Sequence, residues 1–198
     1  MKFDPKIHHR RSIRLPGYDY TREGAYYITV VTWQREELFG EVVDGEMVLN
    51  KFGQVAQTEW ERLPRRFWHI ELSEFVIMPN HAHGIILIVD GRGTADVAYN
   101  NVSELPRRAP ATEQFGKPVA GSIPTIVRSY KSAVSLRINL MRRTNGVPVW
   151  QRNYYEHIIR NDKDYQTKCD YILNNPHNWE SDDNNEKNGK SKNGATHG

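Results

Sequence analysis

"FWHIELSEFVIMPNHAHGIILIV" (residues 67–89) decides the fold. Two apolar stretches, 67–78 and 81–89, are broken only by Pro79-Asn80. Proline lacks a backbone donor and asparagine tolerates turn geometry, so this pair ends one strand and starts the next. His81 and His83 stand at the head of the second strand, before the apolar run Ile85 to Val89. Side chains at i and i+2 on a strand share a face, with Cα atoms roughly 6.6 Å apart. Two imidazoles at that spacing can converge on one metal ion through bonds of about 2.1 Å. Ile85, Leu87 and Val89 continue the same face inward, so the pair sits where core gives way to solvent. Two half-exposed histidines beside a turn would give the same pattern, and His-x-His alone does not separate the readings. A metal centre needs a third protein ligand, from an element packed on this face.

Upstream, "AYYITVVTWQ" (25–34) is β-branched and aromatic and reads as a strand. "GEVVDGEMVLN" (40–50) carries Asp44-Gly45 between apolar stretches, a hairpin signal. Phe52, Val55, Ala56, Trp60 and Leu63 recur at helical spacing over 51–63, with Asn50 as N-cap. Downstream, 91–122 is a long loop with four glycines and three prolines. A helix is predicted over 123–143, an extended piece over 148–159, and a last helix over 162–175, stopped by Pro176. The residues from 180 to 198 lack apolar periodicity and read as a disordered tail, which leaves one domain over 1–179. No internal repeat is evident. Strands preceding and alternating with helices in this order predict an α+β sandwich, a mainly antiparallel sheet with helices packed on it.

Composition narrows the partners. The 198 residues are 38% hydrophobic and 26% charged, with net charge +3. Residues 107–160 hold ten Lys/Arg against two Asp/Glu, leaving 17 against 22 elsewhere. A net of +8 in one stretch suits an anionic polymer, although a solvated face with ion pairs would share the count. Cys169 is the only cysteine, which excludes an intrachain disulfide and a thiolate cluster. The longest apolar run is far too short to span a membrane, and the N-terminus shows no apolar signal region, so a cytoplasmic location is expected.

On a helical wheel of 162–175, Tyr165, Cys169, Ile172 and Leu173 fall in one arc, the expected core face. Tyr171 and Asn175 lie off that arc and one turn apart, with Lys168 close to their face. A surface tyrosine and a capping asparagine before Pro176 would also account for them. On the helix 123–143, Arg128, Lys131, Arg142 and Arg143 form a basic stripe suited to phosphate. Arg137 falls instead on the apolar side, where it either snorkels to the rim or reaches an active site. In "WQRNYYEHIIR" (150–160), Tyr154 and Tyr155 sit among Arg152, His157 and Arg160, a mixture that suits base stacking and phosphate contact on a single strand. Strand packing accounts for one of the two tyrosines.

"FVIMPNHAHGIILI", followed much later by "VWQRNYYEHIIRNDKDYQTKCDYILNNP", resembles the single-tyrosine HUH transposases, most nearly the REP-associated tyrosine transposases related to insertion sequence 200. The likeness covers about residues 8 to 179, and the opening "MKFDPKIHHRRSIRLPGYDYTREGAYYITV" and "LFGEVVDGEMVLN" share it. In one departure, Ala82 stands between the histidines where many members carry a bulkier residue. That side chain faces away from the pair, so packing is affected more than chemistry. The polar residue after the tyrosine is often Gln in relatives, so Asn175 would need a closer helix; Asn174 is a fallback about 100° away on the wheel.

The resemblance implies a ferredoxin-like fold of the HUH endonuclease type. His81 and His83 match the histidine pair, Tyr171 the nucleophile and Asn175 the polar metal ligand. Implied with them is cleavage and rejoining of single-stranded DNA at a hairpin or palindrome, through a covalent 5′-phosphotyrosine, with Mg²⁺ or Mn²⁺ as cofactor. Relatives include monomers and homodimers that exchange the tyrosine helix. Two rival readings are a metal-dependent nuclease in which water attacks, and a catalytically inactive protein that binds hairpin DNA.

Overall fold

The computed structural model describes residues 18–89, 119–182 and 184–185; most of the long loop 91–122 lies outside them. Among these described residues six strands form: β1 (Gly24–Val31), β2 (Gly40–Val43), β3 (Glu46–Leu49), β4 (Ile70–Met78), β5 (His81–Ile88) and β6 (Tyr155–Ile158). Four helices accompany them: α1 (Lys51–Glu61), α2 (Leu63–Arg66), α3 (Ile123–Arg142) and α4 (Asp162–Asn174). The main sheet has the order β4-β5-β1-β6, with every pair antiparallel. Setting aside β2–β3 and the short α2, the chain reads βαββαβ, with the first strand and the second of the central hairpin at the middle of the sheet. That is the ferredoxin-like arrangement expected, with α4 added beyond it.

Local chemistry explains the elements. Asn50 caps α1 by accepting from the backbone N–H groups of Phe52 (2.8 Å) and Gly53 (3.0 Å). Asp44 (φ 53°) and Gly45 (φ 80°) both adopt left-handed backbone, as a two-residue turn joining β2 to β3 requires. α3 ends at Arg143, itself left-handed at φ 55°.

Alternation along the strands divides the core. Tyr26, Ile28 and Val30 of β1 face α1 and α3, with Ala82, Ile86 and Ile88 of β5. Ala25 and Tyr27, with Ile85, face the other way and are covered by Cys169 and Ile172 of α4. Gly84 brings α1 close: a Cβ there would lie 2.3 Å from Cζ2 of Trp60, which stacks on Phe75. His81 and His83 share the parity of Ile85, so they lie on the α4 face, opposite Val31 and Thr29.

Several boundaries differ from the sequence reading. β1 ends at Val31, and residues 33–35 form a single 3-10 turn in which Gln34 and Arg35 have positive φ. Of the extended piece 148–159, only 155–158 joins the sheet, as a short edge strand; Trp150 adds one bridge to Thr32. Leu173 is not core, because α4 touches the sheet along the narrow stripe of Cys169 and Ile172, and Leu173 is turned out at 61% exposure. Arg137 does not approach the histidines. It bonds the buried Glu59 at 2.9 Å on the far side of the sheet, where Arg62 and Arg66 also meet that carboxylate. The described chain continues past residue 179, where the sequence reading ends the domain: Trp179–Ser181 forms a 3-10 turn and Asp182 is buried.

Candidate active site

β5 supplies two histidines and α4 lays a polar face over them. His81 and His83 are both buried, with ring centroids 4.4 Å apart. Each ring is held through Nδ1. Nδ1 of His81 lies 2.8 Å from Oδ1 of Asn80. Nδ1 of His83 lies 2.7 Å from the Tyr27 hydroxyl and 2.8 Å from Oγ1 of Thr29. Both Nε2 atoms are buried and lack a hydrogen-bond partner among the described residues, as does Oδ1 of Asn175. A buried acceptor without a partner costs about 1–3 kcal/mol. Three such atoms from two packed elements form a donor set of two nitrogens and one oxygen, which fits a divalent cation with open positions.

Burial lowers the proton affinity of both imidazoles. For His81, the nearby Asp182 carboxylate partly opposes the effect. For His83, proximity to His81 and Lys168 adds to it. Neutral rings are the form that binds a metal.

Tyr171 stands beside the pair, its ring 5.2 Å from that of His83 and 44% exposed. Its hydroxyl donates to Oδ2 of Asp182 at 3.2 Å. The same oxygen accepts from Nδ2 of Asn175 at 2.9 Å, and Oδ1 accepts from the Asn184 backbone N–H at 2.6 Å. Burial alone would raise the Asp182 carboxyl; the bonds from Asn184 and Asn175 outweigh it and hold it below its usual range. An oxygen of Asp182 and nitrogens of the two histidines all lie within 4.8 Å of one another. Lys168 places Nζ 5.0 Å above the Tyr27 ring, one turn before Tyr171. Asn174 bonds the Asp170 carbonyl on the exposed side and is not at the site.

The other candidates divide by location. Tyr155 and His157 lie on the site face of β6, opposite Thr29 and Tyr27. Tyr155 is 52% exposed, and His157 bonds Asp164 of α4 at 2.8 Å. Arg160 is exposed just beyond. Arg128, Lys131, Arg152 and Tyr154 instead line an open groove between α3 and residues 148–154. Lys131 ties that groove together by donating to the carbonyls of Gln151, Arg152 and Asn153, and burial pushes its amine down to about 8. Tyr154 packs toward the α1–α3 core and donates to Glu156. Arg142 lies over the Phe52 ring, 3.6 Å from Glu36, and Arg143 caps its helix.

Sequence reasoning missed Asp182, Tyr27, Thr29 and Asn80. Tyr27 and Thr29 share the parity of Ala25 on β1, a signal that was present, but their register against His83 was not. Asp182 had no signal, since it lies in a polar run after Pro176.

No protein-family model matches the chain. An uncharacterised protein of Haemophilus influenzae is 42% identical over 182 residues, covering 91% of this chain and 96% of the relative. A second protein of that organism, named "Putative REP-associated tyrosine transposase", is 26% identical over 158 residues, covering 80% of this chain and 73% of its own. A solved structure of a REP-associated tyrosine transposase bound to a REP hairpin superposes with TM-score 0.54 at 20% identity, covering 86% and 76% of the two chains. The chain thus resembles the REP-associated tyrosine transposases, distantly in sequence through the second relative and in fold through the solved structure.

Proposed function

We propose that this protein is a metal-dependent single-stranded DNA endonuclease and strand transferase that acts at hairpin or palindromic DNA through Tyr171. The observation that carries the reading is a set of three buried atoms without hydrogen-bond partners among the described residues, Nε2 of His81, Nε2 of His83 and Oδ1 of Asn175, on side chains gathered around Asp182 beside the Tyr171 ring. In this reading those three atoms hold the cation. The two imidazoles favour Mn²⁺ somewhat over Mg²⁺, which prefers oxygen. Such an ion, when bound, withdraws charge from a non-bridging phosphate oxygen.

The residues of the chain do the rest. Tyr171 Oη attacks the phosphorus and forms a P–O bond as the bond to the 3′ oxygen breaks. The phenol proton leaves with the attack, and the departing 3′ oxygen gains one. The products are a 5′-phosphotyrosine and a free 3′-hydroxyl. A second 3′-hydroxyl can reverse the step, so rejoining needs no nucleotide cofactor. Lys168 adds positive charge where the phosphate would lie. Tyr155 and Arg160 extend the site face outward, and Arg128 and Arg152 offer a second cationic surface. The reading of hairpin DNA as partner is supported by the similar protein solved with a REP hairpin. No helix among the described residues is long and apolar enough to cross a membrane, which is consistent with the proposed cytoplasmic location.

The test is incubation with end-labelled single-stranded hairpin DNA and Mn²⁺, followed by a denaturing gel. A labelled band at the protein's mass supports tyrosine attack. Cleavage without it would replace this reading with the water-attacking nuclease, and binding without cleavage with the inactive binder.

A further inference from the structure

Asp182 lies between the two groups that the proposed chemistry uses, and it arrives on a segment built to hold it. Trp179 packs 5.8 Å from the His81 ring, and its carbonyl accepts from Asn185 at 3.0 Å. Asn80, the partner of His81, also donates to the Asn184 carbonyl at 2.8 Å. These contacts bring Asp182 to 8% exposure above the histidines.

We infer that Asp182 is a positioning residue, which turns the Asn175 amide oxygen toward the histidines and holds the Tyr171 hydroxyl beside it, rather than a ligand of the metal. This rests on the metal reading of the site given above. A carboxylate accepts hydrogen bonds and cannot donate them, so it can hold only the NH₂ end of an asparagine. Fixing Nδ2 of Asn175 on Oδ2 of Asp182 fixes Oδ1 on the opposite side, where it has no other partner among the described residues. Without that acceptor the amide is free to present its NH₂ group, which cannot ligate a cation. Both Asp182 oxygens are already engaged, Oδ2 by Asn175 and Tyr171 and Oδ1 by Asn184. The atom left waiting is on Asn175.

A double-mutant cycle on Mn²⁺ affinity tests this, read from the free-ion electron paramagnetic resonance signal with the full chain. D182A and N175A should each weaken Mn²⁺ binding by about tenfold or more, as loss of a ligand's orienting partner typically does. The double variant should bind no more weakly than N175A, because Asp182 acts through Asn175. Losses that multiply would make Asp182 a ligand and overturn the inference, as would a D182A variant with parental affinity. D182N repeats the cycle if D182A unfolds. Its oxygen stays with the Asn184 N–H, so its NH₂ opposes that of Asn175 and the same loss is expected. H83A separates the two levels of the argument. Parental affinity in H83A sinks the metal site and this inference with it, whereas a loss in H83A with a multiplicative cycle sinks only the inference.

Discussion

The Tyr27 hydroxyl lies 2.7 Å from Nδ1 of His83, across the β1–β5 pair. Thr29 reaches the same nitrogen from two residues along β1. A ligating histidine is oriented by the hydrogen bond at its other nitrogen, which also fixes the tautomer. Tyr27→Phe keeps the ring beneath Lys168, and Thr29 remains as a partner for His83, so its effect on Mn²⁺ affinity should be small. Tyr27→Phe combined with Thr29→Val removes both partners and should weaken Mn²⁺ binding by about 10- to 100-fold. A calorimetric titration showing parental affinity in the double variant would mean that Nε2 of His83 is not a ligand.

Tyr171→Phe keeps the ring and its contacts with His83 and Tyr27 but removes the oxygen proposed to attack. The variant should fold and bind hairpin DNA like the parent, yet form no covalent adduct. Tyr154→Phe and Tyr155→Phe should still form it. Peptide mapping of a trapped adduct decides the point: a nucleotide remnant on the peptide containing Tyr154 and Tyr155 would refute the assignment.

The metal-free protein should lose stability in mild acid. Burial depresses both His81 and His83 below the ordinary value near 6.5. Below that pH the unfolded chain takes up protons that the folded chain refuses. The stability contribution is therefore complete above about pH 6.5 and declines as pH falls toward the depressed values. Urea midpoints measured from pH 8 to pH 5 should fall, and His81→Ala with His83→Ala should flatten that fall. A midpoint that is constant or rising would contradict the burial of neutral rings.

Much of the fold was legible because its signals are local. Asn50 before an amphipathic stretch, Asp44-Gly45 between β-formers and Pro79-Asn80 between apolar runs each act over a few residues. The four-residue edge strand β6 was harder, since its place beside β1 is set by tertiary pairing. Periodicity places His81 with His83 on one strand face and Tyr171 with Asn175 on one helix face, while their marking as a candidate site came from the family resemblance. Tyr27 and Thr29 meet His83 only through a register spanning 56 and 54 residues. Asp182 reaches the site because the chain turns back after Pro176, which no periodicity encodes.

Gly84 should tolerate no side chain. It alternates with the histidines and faces Trp60, whose ring would lie 2.3 Å from an added Cβ. Gly84→Ala forces Trp60 off Phe75 or α1 off the sheet, a form of overpacking that costs about 1–3 kcal/mol. A lowered urea midpoint is the expected result. In a Trp60→Leu background Gly84→Ala should cost less than it does in the parent, because the smaller side chain vacates the contact. An equal cost in both backgrounds would place the strain elsewhere.

The basic groove between α3 and residues 148–154 makes a separate prediction about DNA. Arg128 and Arg152 are exposed along it, whereas Lys131 is committed to three backbone carbonyls. Reversing Lys131 would therefore disturb the fold as well as the charge. Arg128→Glu with Arg152→Glu isolates the charge. If both contact phosphate, the double variant should bind single-stranded hairpin DNA more weakly, and the slope of log affinity against log salt should flatten by about 1.4, roughly 0.7 for each lost contact. Fluorescence anisotropy between low and moderate salt measures that slope. An unchanged slope would remove this groove from the DNA track and leave Lys168, Tyr155 and Arg160, on or beside the histidine face, to carry it.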